Sequence, residues 1–109
     1  MQQAAEILMA EVDALVARVR SRAANAADHL ERSAESVLFN IGEGVAAHKP
    51  RSKIAAYEIA RREANEVRAI LRRLVIGKRL SHRDVQRAHN LCGAIVGMLT
   101  RAIITLENR

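Results

Sequence analysis

The segment SAESVLFNIGEG, at residues 33–44, is the stretch from which the fold can be worked out. Its apolar residues have helical spacing, yet it contains two glycines, Gly42 and Gly44. Each glycine costs about 1 kcal/mol relative to alanine inside a helix, so another interaction should compensate. Close packing against a neighbouring helix and a frayed helix end would both explain them. We predict close packing at both glycines.

The composition around this segment favours an all-α domain. The 109 residues suffice for one domain, and half of them are hydrophobic. Only Phe39 and Tyr57 are aromatic, so the core must consist of leucine, isoleucine, valine and alanine. One proline and five glycines provide too few turns for an all-β fold.

Apolar residues at alternating spacings of three and four predict four amphipathic helices, at about 3–22, 26–46, 53–76 and 82–106. Helices of this length with short connections predict an up-down-up-down antiparallel four-helix bundle. In helices 1 and 3 the predicted core seam consists of Ala5, Leu8, Val12, Leu15, Val19, Tyr57, Ala60, Ala64, Val67, Leu71 and Leu74. In helices 2 and 4 it consists of Leu30, Ala34, Val37, Ile41, Val85, Ala88, Cys92, Ile95, Leu99, Ala102 and Leu106.

The helix ends are predicted from capping residues. Gly77 should end helix 3 in the left-handed conformation, which glycine adopts without strain. Ser81 and Asp84 resemble a capping box at the start of helix 4. The predicted N-caps are Asn25 or Asp28 for helix 2, Ser52 for helix 3 and Ser81 for helix 4.

The positive charge is concentrated in the second half of the chain. The formal net charge is +6. Residues 1–67 contain nine Lys/Arg and ten Asp/Glu, a net of −1, whereas residues 68–106 contain eight Lys/Arg and one acid, a net of +7. Such an imbalance favours an anionic partner.

The expected location is the cytoplasm, with no membrane contact. A lone cysteine, Cys92, cannot form an internal disulfide, which fits a reducing compartment. The N-terminus has no signal-peptide pattern. The longest apolar run, residues 91–100, is well short of the roughly 20 residues that a membrane span requires.

Several short motifs resemble the 23S rRNA-intervening-sequence proteins. Asn40-Ile41-Gly42-Glu43-Gly44 is similar to the NIAEG signature of that family, and the resemblance covers about residues 28–107. The other matching motifs are Leu30–Ala34, Arg51-Ser52-Lys53, Ile59-Ala60-Arg61, Glu66, Gly77 and Leu80-Ser81. Ser36–Asn40 reads SVLFN instead of SIPAN, Arg62-Glu63 replaces a frequent Gly-Ser, and helix 1 lacks the usual aromatic residues.

The resemblance implies a four-helix bundle. Members of this fold are similar to the accessory variability proteins of diversity-generating retroelements, which form pentamers and bind nucleic acid and a reverse transcriptase. The resemblance therefore implies a homopentamer, RNA or DNA as a ligand, and a reverse transcriptase as an alternative partner. Apolar residues outside the seams, among them Leu91, Met98 and Ile104, also favour a closed homo-oligomer.

Four polar residues match the family pattern: Asn40, Glu43, Arg61 and Glu66. We predict a structural hydrogen-bond network between helices 2 and 3, with catalysis by this cluster as an alternative. His89 and Cys92 are three residues apart and could share a metal ion, but Cys92 lies on the seam and no second pair exists. No enzyme activity, metal or cofactor is predicted.

Seven basic residues form the candidate nucleic-acid-binding surface: Arg68, Arg72, Arg73, Lys78, Arg79, Arg83 and Arg87. The first six have no acidic residue three or four positions away that could neutralise them within a helix. A solvated surface, phosphate binding and contact with an acidic protein are all compatible with this pattern. We predict sequence-tolerant binding to the nucleic-acid backbone, with a structural or protein-interaction module as the alternative.

Overall fold

The computed structural model describes residues 1–109 and contains four α-helices and no strand. The helices are α1 (Gln2–Val19), α2 (Ala24–Ala46), α3 (Pro50–Ile76) and α4 (His82–Glu107), and each end lies within three residues of its predicted position. α1 and α3 each pack against both α2 and α4, whereas α1 lies diagonally opposite α3 and α2 diagonally opposite α4. The resulting four-helix bundle measures 47 × 19 × 19 Å.

The predicted seams form the core. Every seam residue predicted in the first three helices is buried. In α4 the seam is buried as far as Leu99, but Ala102 and Leu106 are partly exposed and Ile103 is buried in their place. A strict spacing of three and four rotates by about 20° per heptad around a straight helix. By the end of α4 this drift brings the next residue, Ile103, to the core.

The turn between α1 and α2 differs from the prediction. Its N-cap is Ala23, which provides no side-chain hydrogen bond, so the proposed caps Asn25 and Asp28 are wrong. Both residues lie inside α2. Asp28 instead forms an ion pair with Arg20, at the end of α1, and so links the two sides of the turn.

The start of α3 also differs. Pro50 is the first helical residue and Lys49 is the N-cap, so the predicted cap at Ser52 is wrong. Proline is favoured at this position because its missing N–H would have no partner there. Lys53 donates hydrogen bonds to the carbonyl oxygens of Gly44 (2.9 Å) and Val45 (3.2 Å), and thereby caps the C-terminus of α2.

The turn between α3 and α4 places the left-handed residue one position later than predicted. Gly77 has a φ of −77°, and Lys78 has a φ of 60°. The Lys78 amide donates to Val75 (3.0 Å) and the Arg79 amide donates to Leu74 (2.9 Å), which is the Schellman pattern. The capping box of Ser81 and Asp84 is confirmed.

By length and composition alone, α4 reaches the range of a membrane span, with a mean hydropathy of 1.3 over its best 18-residue window. The uninterrupted apolar run at residues 91–100 is too short to predict a membrane span, so α4 was not identified as a candidate from the sequence. Core packing accounts for part of this apolar content, because Val85, Ala88, Cys92, Ile95 and Leu99 form the seam. Only 22% of the window is fully buried, and Leu91, Val96 and Met98 pack against the core while partly exposed.

Candidate nucleic-acid interface

Two adjacent depressions lie on the surface formed by α3 and α4. The first has a volume of about 410 Å³ and the second about 320 Å³. Arg72, Ile76 and His89 line both, so the two depressions adjoin each other. We call the pair the α3–α4 groove. Its other lining residues are Asn65, Arg68, Ala69, Arg73, Val75, His82, Val85, Gln86 and Asn90.

The predicted basic residues are distributed around this groove. Arg68, Arg72 and Arg73 line it directly. Arg83 and Arg87 line a third depression, which adjoins the groove because Gln86 and Asn90 line both. The remaining two, Lys78 and Arg79, lie in the turn between the helices.

Six of the seven cations have no acidic partner. Arg68, Arg72, Arg73, Lys78, Arg79 and Arg83 are absent from the ion pairs of the structure, which are Arg18–Asp84, Arg20–Asp28, Arg20–Glu31, His29–Glu66, Arg62–Glu63 and Arg87–Glu11. Arg87 is the exception, because its Nε lies 3.2 Å from Glu11 Oε1 of α1. Sequence spacing could not reveal this pair, since the two residues meet only after folding.

The single acid of the basic half is already engaged elsewhere. Asp84 pairs with Arg18 of α1 at 3.0 Å and accepts a hydrogen bond from the Ser81 amide at 2.8 Å. The Ser81 backbone and the Arg18 guanidinium lower the pKa of Asp84 from 3.8 to about 2. Asp84 does not line the groove, and neither does any other carboxylate.

His89 was missed as a residue of this surface. Cys92, its suggested partner in a metal site, is fully buried in the core, and burial raises the pKa of its thiol to about 12. His89 faces the groove, where burial lowers its pKa below the ordinary 6.5, with a further contribution from Arg68, Arg72 and His82. The only signal in the sequence was its position directly after the seam residue Ala88.

The predicted polar network between α2 and α3 is not formed. Asn40 donates to Ser36 within α2 (2.9 Å to its carbonyl oxygen), and Glu43 is exposed and makes no side-chain hydrogen bond or ion pair. Arg61 donates instead to Thr100 Oγ1 of α4, at 3.3 Å. Glu66 is the only one of the four with a contact between α3 and α2, where its Oε1 lies 3.6 Å from His29 Nε2. The four residues therefore do not converge on one point.

The two glycines of the NIGEG motif have different environments. Gly44 is buried, and a Cβ at this position would overlap the Tyr57 ring, with Cδ1 at 2.6 Å and Cζ at 2.9 Å. Close packing is therefore confirmed at Gly44. It is wrong at Gly42, where a Cβ would meet no atom within 4 Å. Gly93 is equally open, and at Gly97 a Cβ would meet only the Arg101 side chain of the same helix.

The family expectation is confirmed. The profile of one family, described as 23S rRNA-intervening sequence protein, matches residues 1–101. The chain therefore belongs to this family of small helical proteins, and the match includes α1, which the motifs had not covered. No curated protein and no solved structure shows significant similarity to this chain.

Proposed function

We propose that this protein binds the phosphate backbone of RNA or DNA, without catalysis, through the basic surface of α3 and α4. One observation carries the proposal: six cations, Arg68, Arg72, Arg73, Lys78, Arg79 and Arg83, have no acidic partner. Phosphates can pair with such cations and release the counterions condensed on the nucleic acid. The scattered positions of Asn40, Glu43, Arg61 and Glu66 also favour a binding role over catalysis.

The binding should tolerate different sequences. Base readout requires donors that reach base edges, and recognition of single strands relies on exposed aromatic rings. Tyr57 is 6% exposed and packs in the core. Phe39 is 61% exposed but belongs to α2 and does not line the α3–α4 groove. The basic surface therefore provides charge and hydrogen bonds to phosphates, but no aromatic ring on which bases could stack.

We further propose that the helices alternate in direction and that the protein forms a closed homo-oligomer in the cytoplasm. Short connections and contacts such as Arg18–Asp84 and Glu11–Arg87 support the up-down-up-down arrangement. Five large apolar side chains are exposed in the protomer, namely Ile7, Phe39, Val45, Ile76 and Ile104. A closed ring would cover part of this surface and repeat the basic face around its axis. The number of five subunits rests on the resemblance alone.

The binding proposal is tested by measuring the affinity for labelled oligonucleotides across salt concentrations. The variant Arg68→Gln/Arg72→Gln/Arg79→Gln should bind every sequence more weakly. Its log–log salt slope should become shallower by about 0.9 for each duplex phosphate that is no longer neutralised, or by about 0.7 for each single-strand phosphate. Arg32→Gln/Arg51→Gln/Arg109→Gln is the matched control, because it removes equal charge from exposed residues outside the groove.

Equal effects of the two triple variants would show that net charge, and not this surface, drives binding. No binding at low salt would refute the proposal. Sedimentation tests the assembly separately: a species of 12.0 kDa at micromolar concentration would refute the homo-oligomer.

The second candidate partner is an acidic protein; the resemblance separately implies a reverse transcriptase. The observation that favours an acidic protein is Ile76, which is 69% exposed within the groove. An apolar side chain surrounded by cations suits a protein surface with an apolar centre and an acidic rim. Ile76→Ser should weaken binding to such a protein and leave oligonucleotide binding unchanged. Weakened binding to oligonucleotides alone would refute this alternative.

A further inference from the structure

We infer that His89, together with Arg68 and Arg72, forms a phosphate-binding site in the α3–α4 groove, and that His89 takes up a proton when the phosphate binds. The inference rests on the proposed function and adds a specific site to it. The probe is a phosphodiester of an oligonucleotide, and the same chemistry would suit a free inorganic phosphate.

The first support is the geometry of the groove. Arg68, Arg72 and His89 line the same depression, and Asn65 and Arg73 provide further hydrogen-bond donors there. Arg68 and Arg72 are one helical turn apart, so their side chains project from the same face of α3. Two guanidinium groups from α3 and an imidazole from α4 can together supply several N–H donors to the oxygens of one phosphate.

The second support is the charge around His89. The titratable groups that surround it are Arg68, Arg72 and Arg73 from α3 and His82 from its own helix. The remaining polar residues of the groove, Asn65, Gln86 and Asn90, are neutral, and neither α1 nor α2 contributes a lining residue. Burial, followed by the charges of Arg68, Arg72 and His82, lowers the pKa of His89 and so favours the neutral imidazole in the free protein.

A bound phosphate reverses this balance. Its negative charge favours the imidazolium, which can then donate a hydrogen bond from each ring nitrogen. The pKa of His89 must therefore be higher in the complex than in the free protein. By linkage, affinity rises as the pH falls between these two pKa values, by about tenfold per pH unit at most for one proton.

The test measures the affinity for a short deoxythymidine oligonucleotide between about pH 8 and about pH 5.5 at constant ionic strength. A phosphodiester does not titrate in this interval, so any pH dependence comes from the protein. The wild type should bind more tightly as the pH falls. His89→Gln should match the wild type at high pH and lose the increase at low pH.

Two histidine variants serve as controls. His48→Gln changes an exposed residue between α2 and α3, outside the groove, and should behave as wild type. His82→Gln tests the other imidazole of the groove and should retain most of the pH dependence. NMR titration of the His89 ring signals, without and with oligonucleotide, should show its pKa rising on binding. A merely structural role for His89 would not produce that shift.

The outcomes separate this inference from the proposed function. Salt-dependent binding with the same pH profile in the wild type and in His89→Gln would overturn the His89 site and leave backbone binding intact. Inorganic phosphate that raises the pKa of His89, without any oligonucleotide binding, would support the site and refute the nucleic-acid function. If neither ligand changes the pKa of His89, the inference is wrong.

Discussion

Replacing Gly44 with alanine should destabilise the protein, whereas the same replacement at Gly42 should stabilise it. Both glycines lie in α2, and alanine gains about 0.5–1 kcal/mol over glycine in a helix interior. At Gly42 the new methyl group enters open space, so this gain should be realised in full. At Gly44 it overlaps the buried Tyr57 ring, and such overpacking costs about 1–3 kcal/mol. The helix propensity term is common to both variants, so their difference should be about 1–3 kcal/mol.

Urea unfolding of both variants at equal protomer concentration measures this difference, since association also contributes to stability. For a chain of this size, 1 kcal/mol corresponds to about 4 °C in melting temperature. The Gly44→Ala/Tyr57→Leu double variant tests the cause, because a smaller residue at position 57 should relieve the overlap. A double-mutant cycle should then give a favourable coupling energy. Equal effects of alanine at positions 42 and 44, or no coupling with Tyr57, would refute close packing at Gly44.

Four further predictions concern single residues. Lys78→Gly should stabilise the protein by up to about 1 kcal/mol in urea unfolding, because Lys78 occupies the left-handed conformation that glycine adopts without strain; a loss of stability would contradict this. Ser81→Ala should destabilise by about 1 kcal/mol through loss of the α4 cap. The pKa of Asp84 in the fold, about 2, is below its ordinary 3.8, so its stabilisation is present above about pH 4 and is lost as the pH falls towards 2. Asp84→Asn should remove that part of the acid sensitivity, and an unchanged acid profile would contradict it. Finally, Cys92 should react with a thiol reagent only after unfolding, because it is buried and its pKa is raised to about 12; rapid reaction of the native protein would contradict its burial.

The sequence was sufficient to predict the helices and their buried faces, because burial imposes a helical period on apolar residues. Tyr57, Ala60, Ala64, Val67 and Leu71 were placed correctly without knowledge of their neighbours. The ends of the helices were harder to predict from the sequence. Asn25 and Asp28 are good capping residues by type, but Asp28 pairs with Arg20 across the turn. Whether a polar side chain caps a helix or binds a neighbouring helix depends on tertiary structure.

Only part of the candidate site could be predicted, because side-chain partners on other helices depend on tertiary structure. The absence of acids three or four residues away correctly identified Arg68 and Arg72 as unpaired, since the helix itself presents their nearest neighbours. Arg87, which has Asp84 three residues before it, was included in the surface without this argument, and Glu11 of α1 pairs with it. Sequence spacing also passed over His89, whose environment comes from residues about 20 positions away on α3. Pairing between helices and desolvation in a groove are set by the packed bundle.

The unpaired cations are not required by the fold. The seams of α3 and α4 bury Val67, Leu71, Ile95 and Leu99 inside the bundle, whereas the cations lie outside the core. Like charges on one face repel each other and raise the free energy of the folded protomer. A module with a purely structural role would gain stability from carboxylates that pair with these cations, either one turn away on the same helix or on a neighbouring helix, as Glu11 of α1 pairs with Arg87 of α4. A surface that keeps this repulsion and contains no carboxylate in its groove is suited to a polyanion, because bound phosphates both remove the repulsion and supply the missing partners.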